Sequence, residues 1–260
     1  MTLTLGHGPL SGAPSPGNYT IDGPAHRIFI EPVAKRLRIE VAGEVVADTI
    51  RAQRLHETGL LPVYYVPWAD VRTDLLEPSD HHTTCPFKGE ASYWSVRVGD
   101  RVEQDLVWSY PDPLPEVAAI TDHVAYYLQR VDAVYEEAVR VLGRPRDPYH
   151  RVDTLRSDRH VRVTRGDEVL AETNRPMAVF ETGLPVRWYV PRLDVATDRL
   201  VPSGTVRVCP YKGVSRYHSL DGGPIDVAWE YPEPLPEALG LADHLCFLGD
   251  DITTEVTPGG

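Results

Sequence analysis

The chain repeats itself, and that limits its architecture more than any other property. Cys85-Pro-Phe-Lys-Gly-Glu-Ala-Ser-Tyr-Trp-Ser-Val96 returns as Cys209-Pro-Tyr-Lys-Gly-Val-Ser-Arg-Tyr-His-Ser-Leu220. Upstream, Glu57-Thr-Gly-Leu, Tyr65-Val-Pro and Asp70-Val recur without a gap as Glu181-Thr-Gly-Leu, Tyr189-Val-Pro and Asp194-Val. After a shift of three residues, Trp108-Ser-Tyr-Pro-Asp-Pro-Leu-Pro-Glu116 matches Trp229-Glu-Tyr-Pro-Glu-Pro-Leu-Pro-Glu237, and Asp122-His123 matches Asp243-His244. The period exceeds 100 residues, whereas solenoids repeat every ~20–50. This is a duplicated domain.

Within each copy the patterns predict strands. Leu37-Arg-Ile-Glu-Val alternates apolar and polar, as does Val161-Arg-Val, the period of a half-buried strand. Ala42-Gly-Glu and Arg165-Gly-Asp-Glu are turn signals that close these stretches into hairpins. Residues 61–66 and 186–190 are β-branched and aromatic, and a proline stops each. Tyr93–Val98, Gly99-Asp100 and Leu106–Trp108 predict another hairpin. Pro115 can open a short helix to Ile120, because a missing N–H costs nothing in a first helical turn. His26–Pro32 suits a short edge strand, and Asp132–Leu142 has the spacing of a helix. The expected layout is a flexible segment over 1–24, a first domain over 25–131, a helical linker over 132–152 and a second domain over 153–260.

A hydrophobic fraction of 42% supplies cores for two domains of ordinary size. The net charge of −12 argues against nucleic-acid backbones, which require a basic surface. Cys85, Cys209 and Cys246 form no Cys-x-x-Cys pair and no disulfide framework, which suits a reducing, cytoplasmic setting. Residues 1–18 lack the basic start and apolar run of a signal peptide. No apolar run approaches the ~20 residues of a membrane helix, so no membrane partner is expected.

Glu-Thr-Gly-Leu, Tyr-Val-Pro, Leu-Glu-Pro-Ser-Asp-His, Cys-Pro-Phe-Lys-Gly, Ala-Ser-Tyr-Trp-Ser-Val and Trp-Ser-Tyr-Pro-Asp-Pro-Leu-Pro-Glu stand in order in the first copy. In these motifs the chain resembles domain-of-unknown-function family 427, also filed under a nucleotidyltransferase-like label, in two tandem copies. The resemblance implies mainly β domains, small and β-tent-like, of antiparallel strands with few short helices. It also implies a likeness in shape to methionine-R-sulfoxide reductases and the drug-binding domain of cereblon. It implies no reaction. Neither copy carries a Gly-Ser with a following Asp-x-Asp, or a phosphate-binding glycine loop. The second copy departs from the pattern where Asp80-His81-His82 becomes Gly204-Thr205-Val206 and Trp94 becomes His218.

The candidate residues divide by chemistry. A lysine near a thiol raises its thiolate fraction, so Cys85 with Lys88 is a candidate nucleophile or redox centre with an anion clamp. The plainer alternative is a turn with a core-facing cysteine, a bend at proline and Lys-Gly at the tip. Asp80, His81, His82 and Cys85 are donors that zinc accepts. Adjacent histidines on a strand point to opposite faces, however, and the second copy keeps only the cysteine. No metal is therefore favoured, and the cofactor is left unassigned. His81, oriented by Asp80, is a candidate base. Glu57 and Glu181 can pair with Lys88 and Lys212 or remain solvated turn residues. Asp70 and Asp194 read as caps of short helical turns. Tyr65, Tyr93, Trp108 and Tyr110 suit a core or the wall of a flat ligand's pocket.

Three functions are compatible with these residues. The first is small-molecule binding in the first copy, lined by Glu57, Tyr65, His81, Lys88, Tyr93 and Trp108, beside a diverged second copy that keeps Glu181, Lys212 and Trp229. The second is an enzyme in the same pocket, with Cys85 as nucleophile and His81 as base. The third is a protein-interaction module. The oligomeric state is left open.

Overall fold

The computed structural model describes residues 24–259; the segment expected to be flexible lies outside them except for Pro24. The chain divides into two compact units between Asp147 and Pro148. Among the described residues both are mainly β, with antiparallel pairing throughout and only short 3-10 helices.

The first unit contains β1 (Ile28–Pro32), β2 (Leu37–Val41), β3 (Glu44–Thr49), β4 (Gln53–Glu57), β5 (Val63–Pro67) and β6 (Leu76–Cys85). It continues with β7 (Gly89–Val98), β8 (Arg101–Ser109), β9 (His123–Tyr126), β10 (Ala133–Glu136) and β11 (Val139–Arg140). Seven strands form one sheet in the order β1-β4-β5-β9-β8-β7-β6, and β11-β10-β2-β3 form a smaller one. Alternation in β2 sends Leu37, Ile39 and Val41 inward against Val66, Val96 and Val107 of the large sheet. Full burial of such a side chain is worth ~1.5–3 kcal/mol, which fixes the register. Ala42 and Gly43 both adopt positive φ at the hairpin tip, as a two-residue turn demands.

The second unit repeats the plan. It contains β12 (Val152–Arg156), β13 (His160–Arg165), β14 (Glu168–Thr173), β15 (Met177–Glu181) and β16 (Arg187–Pro191). Then come β17 (Leu200–Cys209), β18 (Gly213–Leu220), β19 (Ala228–Glu230), β20 (His244–Phe247) and β21 (Thr253–Thr257). Its sheets run β12-β15-β16-β20-β19-β18-β17 and β14-β13-β21.

Two expectations are corrected. Residues 132–142 are not a helix and not a linker: β10 pairs with both β2 and β11. Glu137 turns the chain at φ 54, Val134 enters the core, and the Arg38 guanidinium lies 4.5 Å from the Tyr135 ring centre. The apolar spacing of this stretch satisfies a two-faced hairpin as well as a helix, and β2 needs a partner along its open edge. Asp70 and Asp194 are not caps, since neither short helix has a side-chain cap. Asp70 instead accepts hydrogen bonds from Thr49 (2.6 Å) and Arg51, and Asp194 does so from Thr173 (2.7 Å) and Arg175.

The large sheet of the first unit buries its other face too. The segment after β8 crosses over the β6–β7 turn and becomes the helix Pro115–Ile120, which places Val117 and Ile120 on that face. The site described next lies under this cover.

Candidate functional site

The β6–β7 turn is the hub. Gly89 has φ 107, and a Cβ there would meet the Asp112 carbonyl oxygen at 3.2 Å; a side chain is excluded on both counts. Leu114 N–H donates to the Lys88 carbonyl at 3.0 Å, so the Pro-rich segment clasps the turn and keeps Lys88 pointing down. The second unit is built the same way, with Gly213 at φ 111 and Leu235 N–H on the Lys212 carbonyl at 3.0 Å.

Lys88 is buried and pairs with buried Glu57. The other oxygen of Glu57 meets His26 Nε2 at 2.9 Å; facing a carboxylate acceptor, the ring nitrogen donates. In the second unit Lys212 pairs with Glu181, whose other oxygen meets His150 Nε2 at 3.0 Å. Burial raises the pKa of the Glu181 carboxyl, but the His150 and Lys212 bonds outweigh it and hold the group below its ordinary value. His26 and His150 were not among the sequence candidates. The signal was there: carrying the repeat back from Glu57 pairs Pro24-Ala-His26-Arg27 with Pro148-Tyr-His150-Arg151.

Tyr65, Tyr93, Trp108 and Cys85 occupy the same sheet face as Glu57 and Lys88, packed with Tyr110. Lys88 Nζ lies 6.0 Å from the Tyr110 ring centre. Burial, with Tyr65, Cys85, Tyr93 and Glu57 close by, pushes the Tyr110 phenol far above its usual range. Tyr65 is likewise raised, chiefly by burial. In the second unit Trp229 Nε1 donates to the Tyr189 hydroxyl at 3.0 Å, and Cys209, Tyr231 and buried Cys246 complete the cluster. Tyr65, Trp108, Tyr110 and Cys85 correspond to Tyr189, Trp229, Tyr231 and Cys209, while their aliphatic neighbours differ, as Leu55 does from Val179, and Cys246 stands where the first unit has Ala125.

His81 is brought near only one of its expected partners. The β6–β7 pairing jumps from Pro78–Trp94 to His82–Ser92, so a bulge containing His81 faces Tyr93. The two rings are 4.4 Å apart, and the Tyr93 hydroxyl meets Thr83 at 2.9 Å. His81 thus rests on the Tyr93 ring within the bulge, four residues before Cys85. His82 turns away, 3.7 Å from Glu90, and the adjacent histidines do not converge.

Beside the ion pair lies a groove of about 420 Å³, lined by Pro24, His26, Arg27, Phe87, Leu114 and Val117 among others. His26 stacks on Phe87 with ring centres 3.8 Å apart and planes 17° apart. The matching ring in the second unit, Tyr211, is 8% exposed, whereas Phe87 is 43% exposed. Phe87, Arg27 and the groove are the second thing the sequence candidates missed. Nothing in a lone Phe between Pro and Lys distinguishes a wall from a turn.

The family model described as "Domain of unknown function (DUF427)" matches residues 29–137 and 153–257. The chain belongs to the DUF427 family, in two tandem copies. No curated protein matches it significantly. No helix among the described residues is long and apolar enough to cross a membrane.

Proposed function

We propose that this protein binds a small molecule, and that the ligand enters the groove of the first domain beside His26 and Phe87. One observation carries the reading. The His–Glu–Lys arrangement is built twice, but its aromatic neighbour is buried in the second domain and left open over a groove in the first. A buried ion pair is a weak source of stability compared with apolar packing, so its retention beneath a groove favours a role in holding or orienting a ligand. The groove volume of about 420 Å³ falls in the ~300–1,000 Å³ range of small-molecule sites.

Tyr65, Tyr93 and Trp108 are buried or half-buried behind the pair, and in this reading they stiffen the floor while Phe87 meets the ligand. Lys88 and Glu57 act together as a fixed dipole, with Lys212 and Glu181 as a covered copy behind Trp229. The three cysteines are free thiols, in keeping with a reducing, cytoplasmic setting. The acidic net charge of −12 disfavours nucleic-acid backbones as partners.

A second reading, an enzyme, draws on Cys85. Its thiol is half-exposed and packs in the same cluster as Tyr65 and Tyr93, three residues from Lys88. His81, the candidate base, packs on Tyr93 of that cluster.

Native mass spectrometry of the purified protein, against the same sample denatured, tests both. A mass excess lost on denaturation and absent from Phe87→Ala supports binding in the groove. An adduct that survives denaturation and maps to Cys85 would move the assignment to covalent chemistry. An excess unaffected by Phe87→Ala would place the ligand elsewhere.

A further inference from the structure

We infer that Arg27, and not Lys88, is the anion-recognising group of the groove, and that the ligand is a flat apolar molecule bearing one carboxylate. The inference rests on the small-molecule reading above and adds the ligand's class.

Lys88 is committed. Its ammonium is buried against Glu57, so an incoming anion there would have to displace a carboxylate already in place. Arg27 also lines the groove, and its guanidinium is in the opposite condition. Its Nε is buried with no hydrogen-bond partner, and no ion pair to its side chain exists among the described residues. A buried donor left without an acceptor is a cost to the fold, and such groups call for an explanation.

The second domain supplies the contrast. Arg151, at the matching position, binds Asp153 at 2.7 Å. The residue corresponding to Asp153 in the first domain is Phe29. The same arginine is therefore neutralised in the copy whose aromatic neighbour is buried, and unneutralised in the copy whose groove is open.

The rest of the groove sets the shape and charge of what fits. Ile28, Leu114 and Val117 are apolar, and the stacked His26–Phe87 pair offers a planar surface. The planar guanidinium fork matches a carboxylate bidentately. Glu116 lies on the same groove, so a dianion such as phosphate would meet a like charge after the single arginine has been matched. A monoanion suits this balance better.

The test uses the full chain and three probes of one size: naphthoate, its neutral amide naphthamide, and naphthylmethylamine, with inorganic phosphate as a fourth. Binding is followed by amide NMR shifts. Naphthoate is expected to move the amides of Arg27, Phe87 and Leu114, and to bind about tenfold or more tightly than naphthamide, the worth of a charge-assisted hydrogen bond. Arg27→Gln should erase that preference without abolishing naphthamide binding, while Phe87→Ala weakens both; the amide spectrum of each variant reports whether it is folded. Equal binding of acid and amide, still dependent on Phe87, would overturn the carboxylate class and leave the groove standing. Preference for the amine would make Glu116 the recognising group and overturn the inference, as would phosphate outcompeting naphthoate. If no probe moves the groove amides, both the class and the groove fail together.

Discussion

In the first domain Trp68 meets Trp94 edge-on, with ring centres 4.9 Å apart and planes at 77°. In the second, the same two positions carry Arg192 and His218, and both bind Glu230, where the first domain has Ser109. An aromatic contact has been replaced by an ion-paired cluster, with all three residues changed together. On the opposite face of the same sheets the aliphatic neighbours differ, but the Glu–Lys pair, the histidine that joins it and the tyrosine–tryptophan contact are all present twice. The difference teaches that packing here is exchangeable provided every polar group keeps a partner. The His–Glu–Lys arrangement beneath the Pro-rich cover shows no such exchange. A surface that only had to be filled would have been free to drift as the Trp68–Trp94 contact did.

The comparison can be broken most directly at its centre. Lys88→Met and Lys212→Met each strip a buried carboxylate of its ammonium and leave it only its histidine, and each is expected to lose about 3–5 kcal/mol of stability in urea titration. Similar losses support equivalent pairs; a much smaller loss in one would show that its carboxylate finds water or another partner. Next in size, Tyr211→Ala removes a buried ring and is expected to cost about 3 kcal/mol. Phe87→Ala removes an open one and should cost about 1 kcal/mol or less while weakening ligand binding. Denaturation of both variants checks this, and equal costs would erase the distinction between closed and open copies.

Glu230→Ser installs the residue of the first domain alone and leaves Arg192 and His218 without their carboxylate. A loss of about 1–3 kcal/mol is expected, regained in part when Arg192→Trp and His218→Trp are added. Strict additivity of the three changes would show that they are not coupled.

A smaller effect appears on acidification. Because the folded Glu181 carboxyl titrates below its ordinary value of 4.5, the unfolded chain binds more protons in that window, and stability rises with pH across it. The contribution is complete above 4.5 and falls away as pH drops through the depressed folded value. Urea midpoints of the second domain, taken at successive acid pH values, should show a slope that Glu181→Gln reduces. Last, burial pushes the Cys246 thiol up to about 12. Alkylation under native conditions should therefore spare Cys246 while reaching half-exposed Cys85 and Cys209, with no change in stability; peptide mapping reads the outcome.

Much of the fold was legible because it was written twice. The alternation in Leu37–Val41, the turn at Ala42-Gly43 and the proline opening Pro115–Ile120 each obey a local rule, and the structure follows them. The stretch 132–142 was misread because its spacing satisfies two periods. Its structural counterpart, Thr253–Thr257, is rich in β-branched residues and closes the second small sheet against β13. The Glu57–Lys88 pairing was readable from spacing around two turns. His26 was readable only by carrying the repeat back beyond the motifs that anchor it, to His150, and Arg27 was not readable, because a missing partner leaves no mark in a sequence. The bulge at His81 was not legible either: it sets His81 on the Tyr93 ring while His82 meets Glu90.

The strands that overturned the helical linker have a consequence for how such a chain came to exist. In each unit the last long strand lies alongside the first hairpin, β10 against β2 and β21 against β13. The beginning and the end of a unit thus meet in one small sheet, and nothing has to be borrowed from the neighbouring copy to complete it. A gene encoding such a module can be joined head to tail with itself without opening either product. From that moment the two copies can diverge separately, as exposed Phe87 and buried Tyr211 have done.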